Sequence, residues 1–457
     1  MQNEFAGRSD AYPGSGRDSQ VLRASHDFIE NLCEEFQRNN HIDPSYYQKW
    51  DVKRGLRNAD GTGVMAGVTQ IGNVQGYYML DGEKIPDQGR LIYRGIDVND
   101  LIGGFMSENR FGFEETAYLL LFGALPTREQ LEQFKDILCE YHTLPSMFTE
   151  DMIIKAPSRD VMNKLARSVL ALYSYDPDPD NNSLANELDQ SIRLIARCPT
   201  IVAHAFAVKQ HYFDNDSLYL HRPQPGLSVA ENFLYSLRHD NKYTEDEAKL
   251  LDLCLVLHME HGGGNNSAFA CRVLSSSGTD IYSAISAAVG SLKGPRHGGA
   301  NKKVMEMFGY IEDGVKDWKD DDEVRSYLAK LIHKEAGDGS GLIYGMGHAI
   351  YSLSDPRARL LKQFARGLAE EKGMLDEFEL FESVERLPPA VFRKEKQDDK
   401  VVCANVDMYS GFVYTMLNIP EDLFTPLFAC GRMAGWAAHR FEELVNGKRI
   451  IRPAYKT

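Results

Sequence analysis

Two glycine-flanked histidines have the surroundings in this chain that best suit chemistry. His297 lies in Lys-Gly-Pro-Arg-His-Gly-Gly-Ala-Asn, and His348 ends Gly-Met-Gly-His, with Asp355-Pro356-Arg357 close behind. Glycine tolerates positive φ and lets another molecule approach the backbone, so a titratable imidazole beside it can touch a ligand. Two histidines in ordinary tight turns would show the same pattern, because Gly-x-Gly alone is a weak signal.

A carboxylate stands in a comparable position. Asp407 follows Asn405 and Val406 directly before an apolar segment that reads as a helix. An acid at this point is either an N-cap or a carboxylate base held near the helix N-terminus.

A third histidine motif precedes three glycines. His258 and His261 are three residues apart, so they could share a helix face and bind a metal. The spacing differs from His-Glu-x-x-His, and no third ligand is evident. We therefore favour a helix end that delivers His261 and Asn265 to a polar ligand.

Three arginines would matter if that ligand were a small carboxylate, because guanidinium forks bind carboxylates in a bidentate manner. Arg357 follows the His348 loop, Arg432 lies in an apolar segment rich in small residues, and Arg452 lies near the C-terminus. The alternatives are a solvated helix start for Arg357, an internal salt bridge for Arg432 and a solvated tail residue for Arg452.

The charge of the chain separates two classes of partner. A formal net charge of -15 argues against nucleic acid, which requires clustered lysine and arginine. One local exception surrounds His297, where no acid interrupts Lys293, Arg296, Lys302 and Lys303. A basic pocket on an acidic protein predicts a small anionic ligand.

Helix signals dominate the elements that must hold these residues. Capping boxes begin at Thr127, Ser228 and Thr244, and Asp355-Pro356 is a further helix start. The small-residue segment 282–292 predicts a closely packed helix that leads into the His297 turn. Two short strands, 68–71 and 77–80, are possible around a glycine-containing turn. The fold is predicted to be mainly α.

The remaining composition indicates an ordinary globular protein. Seven cysteines without a Cys-x-x-Cys pair argue against a disulfide framework or a structural zinc site. The chain has no run of 18 apolar residues, so no membrane-spanning helix is expected. The polar N-terminus lacks the apolar core of a signal peptide. We expect a disordered lead-in over residues 1–25 and a cytoplasmic protein.

Taken together, these segments resemble the citrate synthase family from about Gly67 to Pro453. The motifs that carry the resemblance are 257–265, Gly294-Pro-Arg-His-Gly-Gly-Ala-Asn301, Gly345-Met-Gly-His348 with Asp355-Pro-Arg357, Asn405-Val-Asp407 and Ile451-Arg-Pro453, with 89–97 as an early signature.

The resemblance implies a nearly all-α homodimer. A large domain (1–297 and 403–457) would be joined to a smaller helical domain (298–402) that closes over the active site. The implied reaction is condensation of acetyl-CoA with oxaloacetate, followed by hydrolysis of citryl-CoA to citrate and CoA. It would need no metal and no cofactor.

The resemblance also implies a role for each candidate residue. Asp407 would remove a proton from the thioester methyl, His297 would stabilise the enol or enolate, and His348 would polarise the ketone of oxaloacetate. The residues implied to bind oxaloacetate are His261, Arg357, Arg432 and, from the other subunit, Arg452. Those implied to bind CoA are Arg296, Tyr344, Gly345, Gly347 and Asn405.

Two departures from the family pattern affect CoA binding and loop geometry. Ser352 stands where a basic residue is often found, and Ala404 stands where proline is common. Three alternatives stay open: a 2-methylcitrate synthase that uses propionyl-CoA, an inactive regulator that binds CoA or a carboxylate, and a metal hydrolase built on His258 and His261.

Overall fold

The computed structural model describes residues 19–396 and 402–456. The chain divides into two compact units. The first runs to Met65 and includes the residues from Ala454 onward, and the second is Ala66–Pro453. All candidate site residues lie in the second unit. The proposed division into a large domain and a closing domain (298–402) stays a prediction.

The first unit contains helices α1 (Ser19–Asn39) and α2 (Ser45–Lys49) and a 3-10 turn at Arg54–Leu56. Of the lead-in expected to be disordered, residues 1–18 lie outside the described part of the chain. Residues 19–25 are the first residues of α1, and the expectation of a disordered lead-in stays a prediction.

The second unit opens with an antiparallel sheet in the order β1 (Gly72–Leu80), β2 (Glu83–Tyr93), β3 (Ile96–Asp97). Strand 77–80 is confirmed as part of β1, but 68–71 is not a strand and the pairing partner is β2. The turn is Asp81-Gly82, and both residues have positive φ. Asp-Gly is a preferred two-residue hairpin turn, so these two residues indicate in the sequence that the strands on either side pair with each other.

Helices make up the rest of the second unit and confirm the mainly α prediction. In chain order they are α3 (Val98–Ser107), α4 (Phe113–Phe122), α5 (Arg128–Tyr141), α6 (Val161–Leu172), α7 (Leu184–Phe213), α8 (Val229–Leu237), α9 (Glu245–His258), α10 (Asn266–Ser275), α11 (Ile281–Lys293), α12 (Ala300–Gly314), α13 (Asp321–Ile332), α14 (Pro356–Glu371), α15 (Leu375–Arg386), α16 (Pro388–Lys396), α17 (Val406–Met416) and α18 (Phe424–Asn446). Short 3-10 turns lie at Tyr173–Tyr175 and Glu421–Leu423, and a π-helix at Thr149–Ile154.

The predicted helix starts are confirmed. Thr127, Ser228 and Thr244 each form a reciprocal capping box with the residue three positions later, at the starts of α5, α8 and α9. Asp355 caps α14, with proline at the first helical position. Each cap satisfies N–H groups that a helix start leaves unpaired, so the sequence determines where these helices begin.

Helix α18 lies at the centre of the second unit and packs against α7, α9, α10 and α4. Its residues from Pro426 to Arg440 are buried on every side of the helix, and the buried set includes Trp436. Helix α7 is long and apolar enough to cross a membrane, but it is mostly buried, as expected of a core helix. A closely packed core therefore supports the side chains at the ends of these helices.

Candidate active site

The His297 turn joins α11 to α12. The backbone N–H of His297 donates to the Gly294 carbonyl at 2.9 Å, and that of Gly298 donates to the Leu292 carbonyl at 2.9 Å. A Cβ on Gly298 would lie only 2.5 Å from the Leu292 oxygen, so glycine is required here. The turn holds His297 half-buried.

The His297 ring contacts a serine that the sequence analysis did not select. Nε2 of His297 lies 3.1 Å from Oγ of Ser267. The same hydroxyl accepts from Nε1 of Trp436 at 3.1 Å and donates to Oδ1 of Asn265 at 3.0 Å. Burial, with the nearby Arg432 charge, lowers the pKa of His297 to about 4. The imidazole is therefore neutral at physiological pH.

The His348 loop orients the second imidazole. Gly345 and Gly347 both have positive φ, which shapes the turn. Nδ1 of His348 accepts from the backbone N–H of Ile350 and of Tyr351, each at 3.1 Å. With Nδ1 occupied as an acceptor, the proton of the neutral ring lies on Nε2, which makes Nε2 a hydrogen-bond donor.

Asn405 ties the His348 loop to the start of α17. Its N–H donates to the Gly345 carbonyl at 2.8 Å, and its Nδ2 donates to the Gly347 carbonyl at 2.9 Å. Its Oδ1 accepts from the Asp407 N–H at 3.0 Å and caps the helix. His348 and Asp407 are therefore held in one local framework, and the N-cap is Asn405 rather than Asp407.

Asp407 is the second residue of α17. Burial raises the pKa of its carboxyl to about 6; the Arg357 charge acts to lower it and Asp355 acts to raise it. A carboxylate with a pKa close to the working pH is suited to general base catalysis.

Arg357 is buried, and its guanidinium is paired with Asp355. Nε and Nη2 donate to the two oxygens of Asp355 at 3.0 and 2.7 Å. Burial acts to lower the pKa of Arg357, but the Asp355 carboxylate outweighs it and raises the pKa above the ordinary value. A solvated helix start is excluded, since Arg357 is 3% exposed.

Arg432 is buried without a carboxylate partner among the residues described. Nε donates to the His258 carbonyl at 2.5 Å, and Nη1 donates to Oδ1 of Asn265 at 3.3 Å. Nη2 has no hydrogen-bond partner within the described ranges. Burial lowers the pKa of Arg432 to about 10. A buried guanidinium nitrogen without a partner suits an incoming anion.

His258 and His261 do not share a helix face, so the arrangement considered as the alternative, a metal site, is not formed by this pair. Helix α9 ends at His258, whose ring stacks on Phe428 with centroids 4.2 Å apart. His261 lies beyond the helix end, edge-on to His348 at 5.0 Å between centroids. Burial, followed by the Arg357 charge, lowers the pKa of His261 well below its ordinary range. His261, not His258, therefore faces the candidate site.

The basic surroundings expected around His297 are largely neutralised. Acids from distant parts of the chain reach two of the lysines: Lys293 lies 3.2 Å from Asp160, and Lys302 lies 3.5 Å from Glu421. Lys303 pairs with Glu306, one turn further along its own helix. Arg357 is itself paired with Asp355, so the buried positive charge best placed to meet an anion is that of Arg432, which has no carboxylate partner among the residues described.

Three other candidates are exposed to solvent or paired with a residue outside this cluster. Arg296 and Arg452 are exposed, and the Tyr344 hydroxyl donates to Asp338 at 2.7 Å. Six of the other candidates are connected to one another. The ring of His261 contacts that of His348, Asn405 ties the His348 loop to Asp407, and the charges of Arg357 and Arg432 act on neighbouring groups. The connected residues are His261, His297, His348, Arg357, Arg432 and Asp407.

Sequence reasoning missed two residues that matter for the geometry. Ser267 stands two residues after Asn265, so the motif could have been read further. Asp355 was interpreted only as a helix cap, although it caps α14 and also binds the Arg357 side chain.

A mainly helical scaffold that combines two buried arginines with histidines of lowered pKa and a carboxylate of near-neutral pKa has the groups that an acid–base enzyme of an anionic substrate needs. The family model described as "Citrate synthase, C-terminal domain" matches residues 59–454. The chain belongs to the citrate synthase family.

Relatives and solved structures agree with this assignment. The chain is 32% identical to a citrate synthase of Haloferax volcanii, over 88% of this chain and 94% of the relative. It is 33% identical to a 2-methylcitrate synthase of Shewanella oneidensis, over 80% and 87%. The Thermoplasma acidophilum citrate synthase, solved in a ternary complex with carboxymethyl coenzyme A and oxaloacetate, aligns with a TM-score of 0.71 at 25% identity, over 88% and 95%.

Proposed function

We propose that this enzyme condenses acetyl-CoA with oxaloacetate and hydrolyses the resulting citryl-CoA to citrate and CoA. The observation that carries the proposal is Asp407, whose pKa is raised to about 6 and whose helix start is tied through Asn405 to the His348 loop. One local framework would thus hold Asp407, the base for the thioester methyl, and His348, the hydrogen-bond donor to the ketone.

The dicarboxylate would bind among the buried cations. Nη2 of Arg432 lacks a hydrogen-bond partner among the described residues, and so does Nε2 of His261. Arg357 adds a permanent positive charge that Asp355 holds in place. Arg452, exposed near the C-terminus, would reach the pocket of the other subunit in a homodimer, so that two chains complete each site.

Deprotonation of the thioester methyl would then need a base and an electrophile together, because this C–H group is a weak acid. Asp407 takes the proton, and a neutral His297 donates a hydrogen bond to the thioester oxygen as charge develops on it. Groups of this kind contribute about 10²–10⁴-fold each, and preorganised donors in a dry site contribute further.

This role requires the ring proton on Nδ1 of His297, where it can reach the thioester oxygen. The Ser267 hydroxyl, which donates to Oδ1 of Asn265 in the structure, would turn to donate to Nε2 of His297 instead. Trp436 donates to the serine oxygen at 3.1 Å, and Arg432 supplies Asn265 with a donor at 3.3 Å.

His348 would polarise the ketone of oxaloacetate through Nε2, since its Nδ1 accepts two backbone N–H groups. Carbon–carbon bond formation leaves an alkoxide that takes up this proton. Closure of residues 298–402 over the substrates would exclude water during condensation. The reaction as proposed needs no cofactor.

CoA would lie along the loops that carry these histidines. Arg296 is exposed beside His297, and Tyr344, Gly345, Gly347 and Asn405 form or adjoin the His348 loop. With Ser352 in place of a basic residue, this loop offers no cation to a CoA phosphate at that position, and Arg296 is the nearby alternative.

A 2-methylcitrate synthase is the second candidate, favoured by the Shewanella oneidensis relative. Propionyl-CoA differs from acetyl-CoA by one methylene, which changes binding by about 1–3 kcal/mol. An inactive regulator is less well supported, since the proposed base and both proposed donors are present together.

The proposal is tested by thiol release from acetyl-CoA or propionyl-CoA with oxaloacetate, with and without a metal chelator. We expect release with a higher kcat/KM for acetyl-CoA, unchanged by chelation. A strong preference for propionyl-CoA would support the second candidate, and no release with either thioester would support a regulator. Loss of activity on chelation would support the metal alternative.

A further inference from the structure

A chain of buried charged and polar groups lies behind the proposed dicarboxylate pocket. Oε2 of Glu260 accepts from Nε2 of His439 at 2.9 Å. Nδ1 of His439 in turn accepts from Nε and Nη2 of Arg272, at 3.2 and 2.7 Å. Arg272 also pairs with Glu442 and, at 3.1 Å, with Glu443. Glu260 and His439 are completely buried.

The hydrogen bonds indicate where the protons of His439 and Glu260 lie. Arginine only donates, so Nδ1 of His439 carries a lone pair, and the proton of a neutral ring lies on Nε2. Glu260 is then an ionised acceptor. Burial acts to raise the pKa of Glu260; the hydrogen bond from His439, the charge of Arg432 and the hydrogen bond from the Gly262 N–H act to lower it, and all three remain when His439 is neutral. A carboxylate with no exposure is therefore kept negative.

The surrounding backbone leaves space for this carboxylate. A Cβ on Gly72 of β1 would lie 2.6 Å from Cγ of Glu260, so this strand requires glycine where it passes the Glu260 side chain. A Cβ on Gly435 of α18 would lie 3.0 Å from Oε2 of Glu260 but only 2.1 Å from the Met259 carbonyl oxygen, so the backbone before Glu260 is what requires glycine there. Neither glycine has positive φ, so close approach, and not backbone conformation, requires them.

Glu260 is linked to both proposed substrate-binding residues on this side of the pocket. Its Oε1 accepts from the Gly262 N–H at 2.5 Å and so anchors the turn that carries His261. The same turn supplies the acceptors that hold Arg432, namely the His258 carbonyl and Asn265 Oδ1. The Glu260 charge also opposes the effect of burial on the pKa of Arg432.

We propose that Glu260 is a positioning residue of the dicarboxylate pocket, which holds the His261 turn in place and supplies the counter-charge for Arg432. This inference rests on the proposed function, because it concerns the pocket assigned to oxaloacetate. Glu260 acts from behind His261 and Arg432 and does not touch the substrate itself.

Glu260→Gln tests the role, since it keeps the shape and removes the charge. Both Glu260 oxygens accept, so the amide nitrogen of glutamine would face a donor in either orientation, the Nε2–H of His439 or the Gly262 N–H. Reversing the His439 tautomer would only place a donor against Arg272. We expect the KM for oxaloacetate to rise at least ten-fold, while the KM for acetyl-CoA changes less than three-fold. Glu442→Gln is the matched control, because it makes the same change at an acid that pairs with Arg272, at the end of this chain of groups farthest from the pocket. We expect wild-type KM values for both substrates in this variant.

His439→Leu provides a second variant if Glu260→Gln does not fold. It removes the donor to Glu260 and should raise the KM for oxaloacetate selectively, in the same direction. Thermal unfolding of each variant without ligand identifies loss of folded protein, which lowers kcat for both substrates and leaves both KM values unchanged.

Equal KM values for Glu260→Gln and Glu442→Gln, or a proportional change toward both substrates, would overturn the inference. Wild-type protein is assayed first. If it releases no thiol from acetyl-CoA with oxaloacetate, the proposed function fails. If it does and the variants are unselective, only the role of Glu260 fails.

Discussion

Replacing Asp407 with asparagine should stabilise the protein while it removes most of the activity. The pKa of an aspartate carboxyl is ordinarily 3.8, and burial raises the pKa of Asp407 to about 6. The folded state therefore binds this proton more tightly than the unfolded state, so stability falls as pH rises from about 4 to about 6. At pH 7.5 the difference corresponds to about 3 kcal/mol. Asparagine cannot ionise and avoids that penalty.

The measurement is chemical unfolding of wild type and Asp407→Asn at two pH values, with turnover measured on the same samples. At pH 7.5 we expect the variant to be more stable by up to about 3 kcal/mol, and at pH 4.5 the gap should narrow to about 1 kcal/mol. Turnover should fall by at least about 100-fold, as for loss of a general base.

Asp246→Asn is the matched control. Asp246 is also the second residue of its helix, α9, but it is exposed. We expect neither a gain in stability nor a loss of turnover in this variant. If Asp407→Asn is less stable than wild type at pH 7.5, the carboxylate is not a destabilising buried charge. Near-normal turnover in Asp407→Asn would remove it from the mechanism.

Two further substitutions test the frame of the site. Arg452→Ala should raise the KM for oxaloacetate at least about ten-fold, since removing one partner of a charge-assisted contact costs about 1.5–3 kcal/mol; unchanged oxaloacetate kinetics would make Arg452 only a tail residue. Gly76→Ala would place a Cβ 2.6 Å from the Ile350 carbonyl, in the loop whose N–H groups hold His348. We expect kcat of this variant to fall on the order of 100-fold, as for displacement of a catalytic group by about 1 Å. Wild-type kcat together with wild-type thermal unfolding would show that Gly76 does not position the His348 loop.

The features that were predicted correctly depend on local sequence. The capping boxes at Thr127, Ser228 and Thr244 bind N–H groups three residues away, so a short sequence is sufficient to locate them. The hairpin was only partly predicted, because residues 68–71 were interpreted as one of its strands, whereas the structure pairs β1 with β2 across the Asp81-Gly82 turn. Val68 is 90% exposed, so the alternation of residues 68–71 does not correspond to a buried strand face.

Long-range pairing could not be predicted from single motifs. The lysines around His297 looked unneutralised until acids from elsewhere in the chain were brought beside them, with Asp160 reaching Lys293. Likewise, nothing near Glu260 in the sequence indicates that His439, 179 positions away, donates to it. Charge balance in a buried site depends on contacts between distant segments, which composition and spacing do not encode.

The central claim is that Asp407 acts as the base in a reaction between a thioester and oxaloacetate. Its most direct test is the pH dependence of thiol release from acetyl-CoA with oxaloacetate, compared between wild type and Asp407→Asn. We predict that wild-type kcat/KM rises with pH and is half-maximal near pH 6, because the base must lose its proton. In Asp407→Asn this rise of kcat/KM with pH should be absent. No release at any pH, or the same rise in both proteins, would contradict the claim.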